Sequence, residues 1–385
     1  MMAPPDSSRW LYRRFGPRRH QIWVASPKFQ LLLVAMVCFL CPGMFNALSG
    51  LGGAGLNNAT AADHAGTALY TTFAIVAFFS GTFANRMGLR LTTAVGGLGY
   101  CIYIAAFLCY LHTANLGFVI FAGALLGFCA GLLWAAQGAI MMAYPPENTK
   151  GRYIAWFWAV FNLGAVIGSL IPLGQNAANT SGTSNGTVSD GTYIAFLILT
   201  FTGALLALTL CDADRVVRED GSRVILMKHP SWQSELIGLW QTLRSDWWVV
   251  LLFPMFFASN IFYTYQNQDV NLAAFNLRTR ALNNVLYWLV QIITAVAVGN
   301  ALDFSRLSRP VKARIALVVL FVATMAVWGG GWVWQRDRPT REQVADAGEQ
   351  AKIDWTDGGH TFVAAMFLYL FYGAYDALWQ TCVYW

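Results

Sequence analysis

The sequence predicts an all-α polytopic membrane protein, a helical bundle with ten transmembrane helices. Three observations predict it. Charged residues make up 11% of the 385 and apolar residues 57%, where a typical soluble domain is about 25% charged. Ten stretches lack any charge except one aspartate in the last: 29–49, 67–84, 91–111, 116–143, 153–173, 192–211, 247–266, 281–301, 315–334 and 361–385. Each is close to the ~20 residues that cross ~30 Å of hydrocarbon. All 25 lysines and arginines fall between these stretches, and 19 of them fall on one alternate set of segments.

The chain opens with residues 1–28, a basic tail with six cations ahead of the first span. That span ends in Gly50-Leu51-Gly52-Gly53-Ala54-Gly55, which has the G-x-G-x-x-G spacing of a dinucleotide turn. Such a turn needs a short strand before it and an acid about 20 positions beyond it. Here some twenty uncharged residues precede it and the next acid is Asp63. The glycines are therefore read as the end of a membrane helix already loosened by Pro42 and Gly43. The fourth span is long enough to tilt, with Gly123, Gly127 and Gly131 as a close-packing face, and Gly164 and Gly168 give the fifth span another at i, i+4. Residues 29–211 thus form a six-helix half. A connector, 212–246, carries five cations and six acids, and 231–243 reads as an amphipathic helix on the membrane surface. Residues 247–385 hold four more spans, a partial second half.

Orientation follows from the cations. With the amino terminus in the cytoplasm, inner segments carry 19 Lys and Arg and outer loops six, as the positive-inside rule requires. The three N-x-[ST] sequons, at Asn58, Asn179 and Asn185, all fall in outer loops, which makes them glycosylation candidates in a plasma membrane or endomembrane. The seven cysteines lie within or at the ends of spans and read as small packing groups, and the five histidines lie outside spans or at their edges. No metal site, cofactor motif, nucleic-acid patch or soluble-enzyme motif is found, so no catalytic residue is assigned and the class is not an enzyme.

Two loops share a pattern. After the second span comes GTFANRMGLR (81–90), and after the eighth GNALDFSRLSRPVKAR (299–314). Gly81, Asn85, Arg86, Gly88 and Arg90 in the first copy, and Gly299, Asp303 and Arg306 in the second, resemble the inner-face loop motif of the major facilitator superfamily. In that motif an acid and arginines pin neighbouring helix ends. Asn85 replaces the acid, so the first latch is expected to be weaker. Longer stretches, FLCPGMFNALSGLGGAG, WAAQGAIMMAYPPENTKGRYIAWFWAVFNLGAVIGSLI and SNIFYTYQNQDVNLAAFNLRTRALNNVLYW, are similar to the fungal branch of the Unc ninety-three-like membrane proteins, a division of that superfamily. The resemblance implies either a secondary transporter or ion-flux protein for an unknown small solute or ion, a potassium link being one of the options it offers, or a non-transporting regulator or trafficking partner of another membrane protein. It also implies two further spans after Trp385. Without them Asp376 and the fifth span are expected to face lipid, and the chain to be unstable or oligomeric.

Polar side chains in lipid are costly and face a bundle interior. Asp376 is the only acid well inside a span. Asn46, Gln137 and Asn162 are neutral polar residues in the first, fourth and fifth spans, and the seventh ends in a polar run, Asn260, Tyr263, Tyr265, Gln266, Asn267, Asp269 and Asn271. In facilitators spans one, four, seven and ten line the central cavity. The resemblance thus makes Asn46, Gln137, Tyr263 and Asp376 the cavity candidates.

Overall fold

A computed structural model of the chain describes residues 10–13, 22–57, 59–145, 150–178, 186–218, 221–224, 232–302 and 306–385. The helices in chain order are α1 (Pro27–Leu40), α2 (Pro42–Gly50), α3 (Thr60–Ala77), α4 (Ser80–Thr113), α5 (Leu116–Ala143), α6 (Lys150–Asn176), α7 (Asp190–Ala207), α8 (Trp232–Ser245), α9 (Trp248–Ala258), α10 (Leu277–Leu302), α11 (Arg309–Arg336), α12 (Arg341–Ala347) and α13 (Ala364–Tyr384). Eight helical segments among the described residues are long and apolar enough to span. The expected second span falls on α3, which starts earlier and includes Asp63 and His64. The expected seventh span is interrupted: α9 has only 11 residues, with Pro254 inside it, and the polar run beyond it winds as a π-helix over Tyr265–Leu272. Proline removes a ladder donor, and the wider π turn accommodates the dense polar side chains that follow.

The expected inner loop at 81–90 is instead helical on both sides of a single break. α4 runs through it and bends at Gly88, whose φ of 79° and ψ of 155° lie outside the helical region. Only glycine adopts that conformation without strain, so the chain changes direction at one residue.

Contacts divide the chain into two compact units: residues 1–45, 64–161 and 193–245, and residues 46–63, 162–192 and 246–385. In the first, glycines set the helix spacing. A Cβ on Gly96 would lie 2.6 Å from that of Leu133, which brings α4 against α5. On the other face of α5, a Cβ on Gly123 or Gly127 would collide with the backbone carbonyls of Ala65 and Leu69 in α3. At the start of the connector, Val217 and Arg223 form an isolated antiparallel bridge. Arg218 donates to the Ala143 and Tyr144 carbonyls at 2.7 and 3.3 Å, so a cation caps the carbonyl end of α5 where the helix dipole favours it. The expected connector helix is α8, and its Trp232, Ile237 and Trp240 are exposed, as a surface-lying apolar face requires.

The second unit is built on α10, α11 and α13. Its core is aromatic, with Phe275, Tyr287, Trp288, Tyr369 and Tyr372 buried together. Gly373 permits the close approach of α13 to α10, since a Cβ there would meet the Tyr287 carbonyl oxygen at 2.8 Å. The long segment between α11 and α13 is tied down: Ile353 exchanges backbone hydrogen bonds with Ala274 and Asn276, and α12 starts in a capping box of Thr340 and Gln343.

Candidate functional site

Asp376 sits on α13, seven residues before the end of that span, and none of its surface is exposed. The expectation that it faces lipid is therefore corrected: α10 and the chain before the π-helix enclose it. The Tyr263 hydroxyl donates to both carboxylate oxygens, at 3.0 and 2.9 Å. Gln291 Nε2 donates to Oδ2 at 2.5 Å, and the Tyr287 hydroxyl lies 3.2 Å from the same oxygen. Tyr287 also donates to Gln266 Oε1 at 2.8 Å. One phenolic proton therefore serves two acceptors. Among the described residues no lysine, arginine or histidine lies within ion-pair distance of Asp376. The cluster thus holds a buried carboxylate by neutral donors alone, an arrangement that binding of a proton or small cation would relieve.

Of the four cavity candidates, Tyr263 and Asp376 meet directly. Asn46 lies half-buried on α2, outside the groups that hydrogen-bond Asp376, and Gln137 is buried on α5 in the first unit. Asn162, Gly164 and Gly168 are all buried on α6. Two partners of Asp376, Tyr287 and Gln291, are absent from the sequence-based candidates. Their signal is spacing: Arg280, Asn283, Tyr287 and Gln291 recur every three or four residues along one membrane helix, which places them on one face. In the first loop motif Asn85 is half-buried, Arg86 is exposed, and Arg90 approaches Asp212 at 4.0 Å. Asp303 lies outside the described residues, as do Asn58, Asn179 and Asn185. Arg306 is exposed, while Lys312 donates to the Leu302 carbonyl at the end of α10 at 2.5 Å.

Toward the α10 amino terminus a second polar layer surrounds the glycine turn of residues 50–55. Gly52, Gly53 and Gly55 have φ of 75°, 58° and 85°, so the chain turns there in a left-handed conformation. Asn284 Nδ2 donates to the Ala47 carbonyl at 2.6 Å, Asn271 Nδ2 to that of Gly50 at 2.8 Å, and the Gly53 N–H donates to Gln268 Oε1 at 2.6 Å. Asn284 and Asn271 thus satisfy carbonyls left free where α2 ends, and Gln268 accepts from an N–H of the turn. The fingerprint-like glycines therefore serve close packing, because a Cβ on Gly50 would collide with the Asn284 amide.

Beyond this layer charges pair. Arg278 bridges Asp354 at 2.7 Å, with both side chains at most 10% exposed, and lies over the Trp355 ring at 5.1 Å. Burial pushes the Asp354 carboxyl up, but hydrogen bonds from Arg278, Thr356 and Asn276 outweigh it and hold the group below the usual carboxylate range. Arg341 bridges Asp63 at 2.7 Å and Asp269 at 3.5 Å. Burial raises Asp269 despite that arginine.

Fold and site together define an integral, multi-pass, all-helical membrane protein. The family model for the Major Facilitator Superfamily matches residues 29–383. The chain is 50% identical over 384 residues to UNC93-like protein C922.05c of Schizosaccharomyces pombe, covering 100% of this chain and 75% of that one. It is 44% identical over 360 residues to UNC93-like protein 1 of Arabidopsis thaliana, covering 94% and 76%. The chain belongs to the UNC93-like proteins of the Major Facilitator Superfamily. Among solved structures it is similar to the partially occluded inward-open xylose transporter XylE from E. coli, with a TM-score of 0.59 at 12% identity over 94% of this chain and 86% of that one. At that identity the likeness concerns the fold alone.

Proposed function

We propose that the chain is a secondary transporter or ion-flux protein in which Asp376 takes up and releases a coupling proton or a small monovalent cation. The observation that carries this reading is the carboxylate itself: fully buried in a span, held by Tyr263, Tyr287 and Gln291, with no cation beside it among the described residues. Intramembrane acids of this kind are expensive and mark ion or proton pathways. The amino terminus and the 212–246 connector are placed in the cytoplasm. Support comes from the outer cations that break the positive-inside pattern. All six, Arg278, Arg280, Arg336, Arg338, Arg341 and Lys352, are engaged by protein groups. Their positions are thus explained by packing. The membrane is the plasma membrane or an endomembrane, and the transported solute is small.

The test uses the full chain in proteoliposomes loaded with a pH-sensitive dye, with potassium, sodium or proton gradients imposed in turn. Wild type is expected to move protons or cation under at least one gradient, and Asp376→Asn to lose that movement at equal protein content. No flux in wild type under any gradient favours the other reading, a regulator or trafficking partner of another membrane protein, and flux unchanged in Asp376→Asn removes Asp376 from the transport path.

A further inference from the structure

On the side of the membrane where α11 ends and α13 begins, the two helices meet along one seam and part beside it. At the seam a Cβ on Gly331 would collide with the Tyr372 hydroxyl, and the Thr324 hydroxyl donates to that of Tyr375 at 3.3 Å. Beside it lies an open groove of about 380 Å³. Ala326, Gly330 and Trp334 line it from one face of α11, and Ala364, Phe367 and Phe371 line it from α13. Alanine and glycine keep the floor low, and the rings form the walls. A Cβ on Gly330 would meet nothing within 4 Å, and Phe367 and Phe371 are exposed.

The mouth of this apolar groove is charged. Arg338, two residues past the end of α11, lays its guanidinium over the Trp334 ring at 4.4 Å. It is half-buried, and among the described residues no carboxylate pairs with it, whereas the nearby Arg336 bridges Asp337 at 3.2 Å. Burial lowers the Arg338 pKa from its ordinary value, with no acid acting the other way. A half-buried cation without a counter-charge favours an anion beside it. Tryptophan and arginine at a helix end are what a membrane interface selects, and the anion found at that depth is the lipid phosphate. From Trp334 to Ala326 is eight residues, about 12 Å along α11, so 380 Å³ over that length gives a cross-section of roughly 30 Å². That is too narrow for a helix ~10 Å across and suits a single hydrocarbon chain.

We propose that this groove binds one membrane phospholipid, with its phosphate on Arg338 and one acyl chain running past Trp334 between α11 and α13. The headgroup supplies the charge that Arg338 lacks, and the chain covers the gap that Ala326 and Gly330 leave. The site shares no residue with the groups that hydrogen-bond Asp376, so it stands or falls apart from the transport reading.

The experiment is native mass spectrometry of the full chain in detergent, titrated with phosphatidylglycerol, whose only charge is its phosphate, and separately with a diacylglycerol of the same acyl chains. Wild type is expected to retain one phosphatidylglycerol more tightly than any further copy, and more tightly than the diacylglycerol. Arg338→Gln is expected to weaken that first lipid about fivefold, the worth of one cation at an anionic headgroup, and to bind both lipids alike. Gly330→Leu, which fills the groove where nothing obstructs a side chain, is expected to abolish the preference for the first copy. Melting temperatures without lipid show whether each variant folds, and either one alone carries the test. Retention of the first lipid at wild-type affinity in a folded variant overturns the proposal. So does displacement of that lipid by inorganic phosphate alone, since the site would then hold a free anion, or a dimer whose mass carries no lipid, since a second copy would then cover the groove.

Discussion

Several buried polar side chains of the second unit have partners that fix their cost. Asp354 is the clearest case outside the spans. Its folded-state value lies below the ordinary carboxylate range, so the Arg278 bridge stabilises the fold fully above that range, and its contribution drains away as pH falls through the depressed value. Asp354→Asn would leave the Arg278 guanidinium buried without its counter-charge. It is predicted to cost about 3–5 kcal/mol at neutral pH, and a thermal unfolding series should show the gap between variant and parent closing only in strong acid. Tyr263→Phe removes the one hydroxyl that reaches both oxygens of Asp376. A loss of about 1.5–3 kcal/mol in detergent unfolding is predicted while the buried group is ionised.

The elements owe their spacing to glycine and their ends to amides. At Gly50 a methyl group would collide with Asn284, whereas at Gly138 it would meet nothing within 4 Å. Gly50→Ala is therefore predicted to destabilise by about 1–3 kcal/mol through overpacking. Gly138→Ala should be neutral or slightly stabilising, and melting temperatures of the two variants check the contrast. Eight of the ten expected spans, the connector helix and the single intramembrane acid were legible in the sequence because hydrocarbon imposes a length and a charge filter on a crossing helix. The bend at Gly88 was not legible, because a motif with arginines and glycines is compatible with either a loop or a kinked helix. The π-helix over Tyr265–Leu272 was hidden likewise: seven polar side chains mark the end of the seventh span, but their partners lie far off in the sequence, on α10, α13 and the glycine turn. Tyr287 and Gln291 escaped because both lie in the eighth span, outside the four that the resemblance puts around the cavity, although their spacing with Arg280 and Asn283 already marked one polar face.

At the scale of the whole molecule, the sidedness of the chain and the work of Asp376 are linked claims. Arg341 is about one-third exposed and is shared between two aspartates, so Arg341→Gln is predicted to lower stability by no more than about 1 kcal/mol and to leave orientation unchanged. Protease protection of the 212–246 connector, probed from each side of sealed vesicles, checks the orientation, and loss of an endoglycosidase-sensitive shift in Asn185→Gln would agree with it. The most direct test of the central claim is a pH-jump current on the full chain adsorbed to a solid-supported membrane. Wild type is predicted to give a transient charge displacement as Asp376 changes protonation, with Asp376→Glu retaining part of it and Asp376→Asn abolishing it. A displacement of wild-type size in Asp376→Asn would contradict the account.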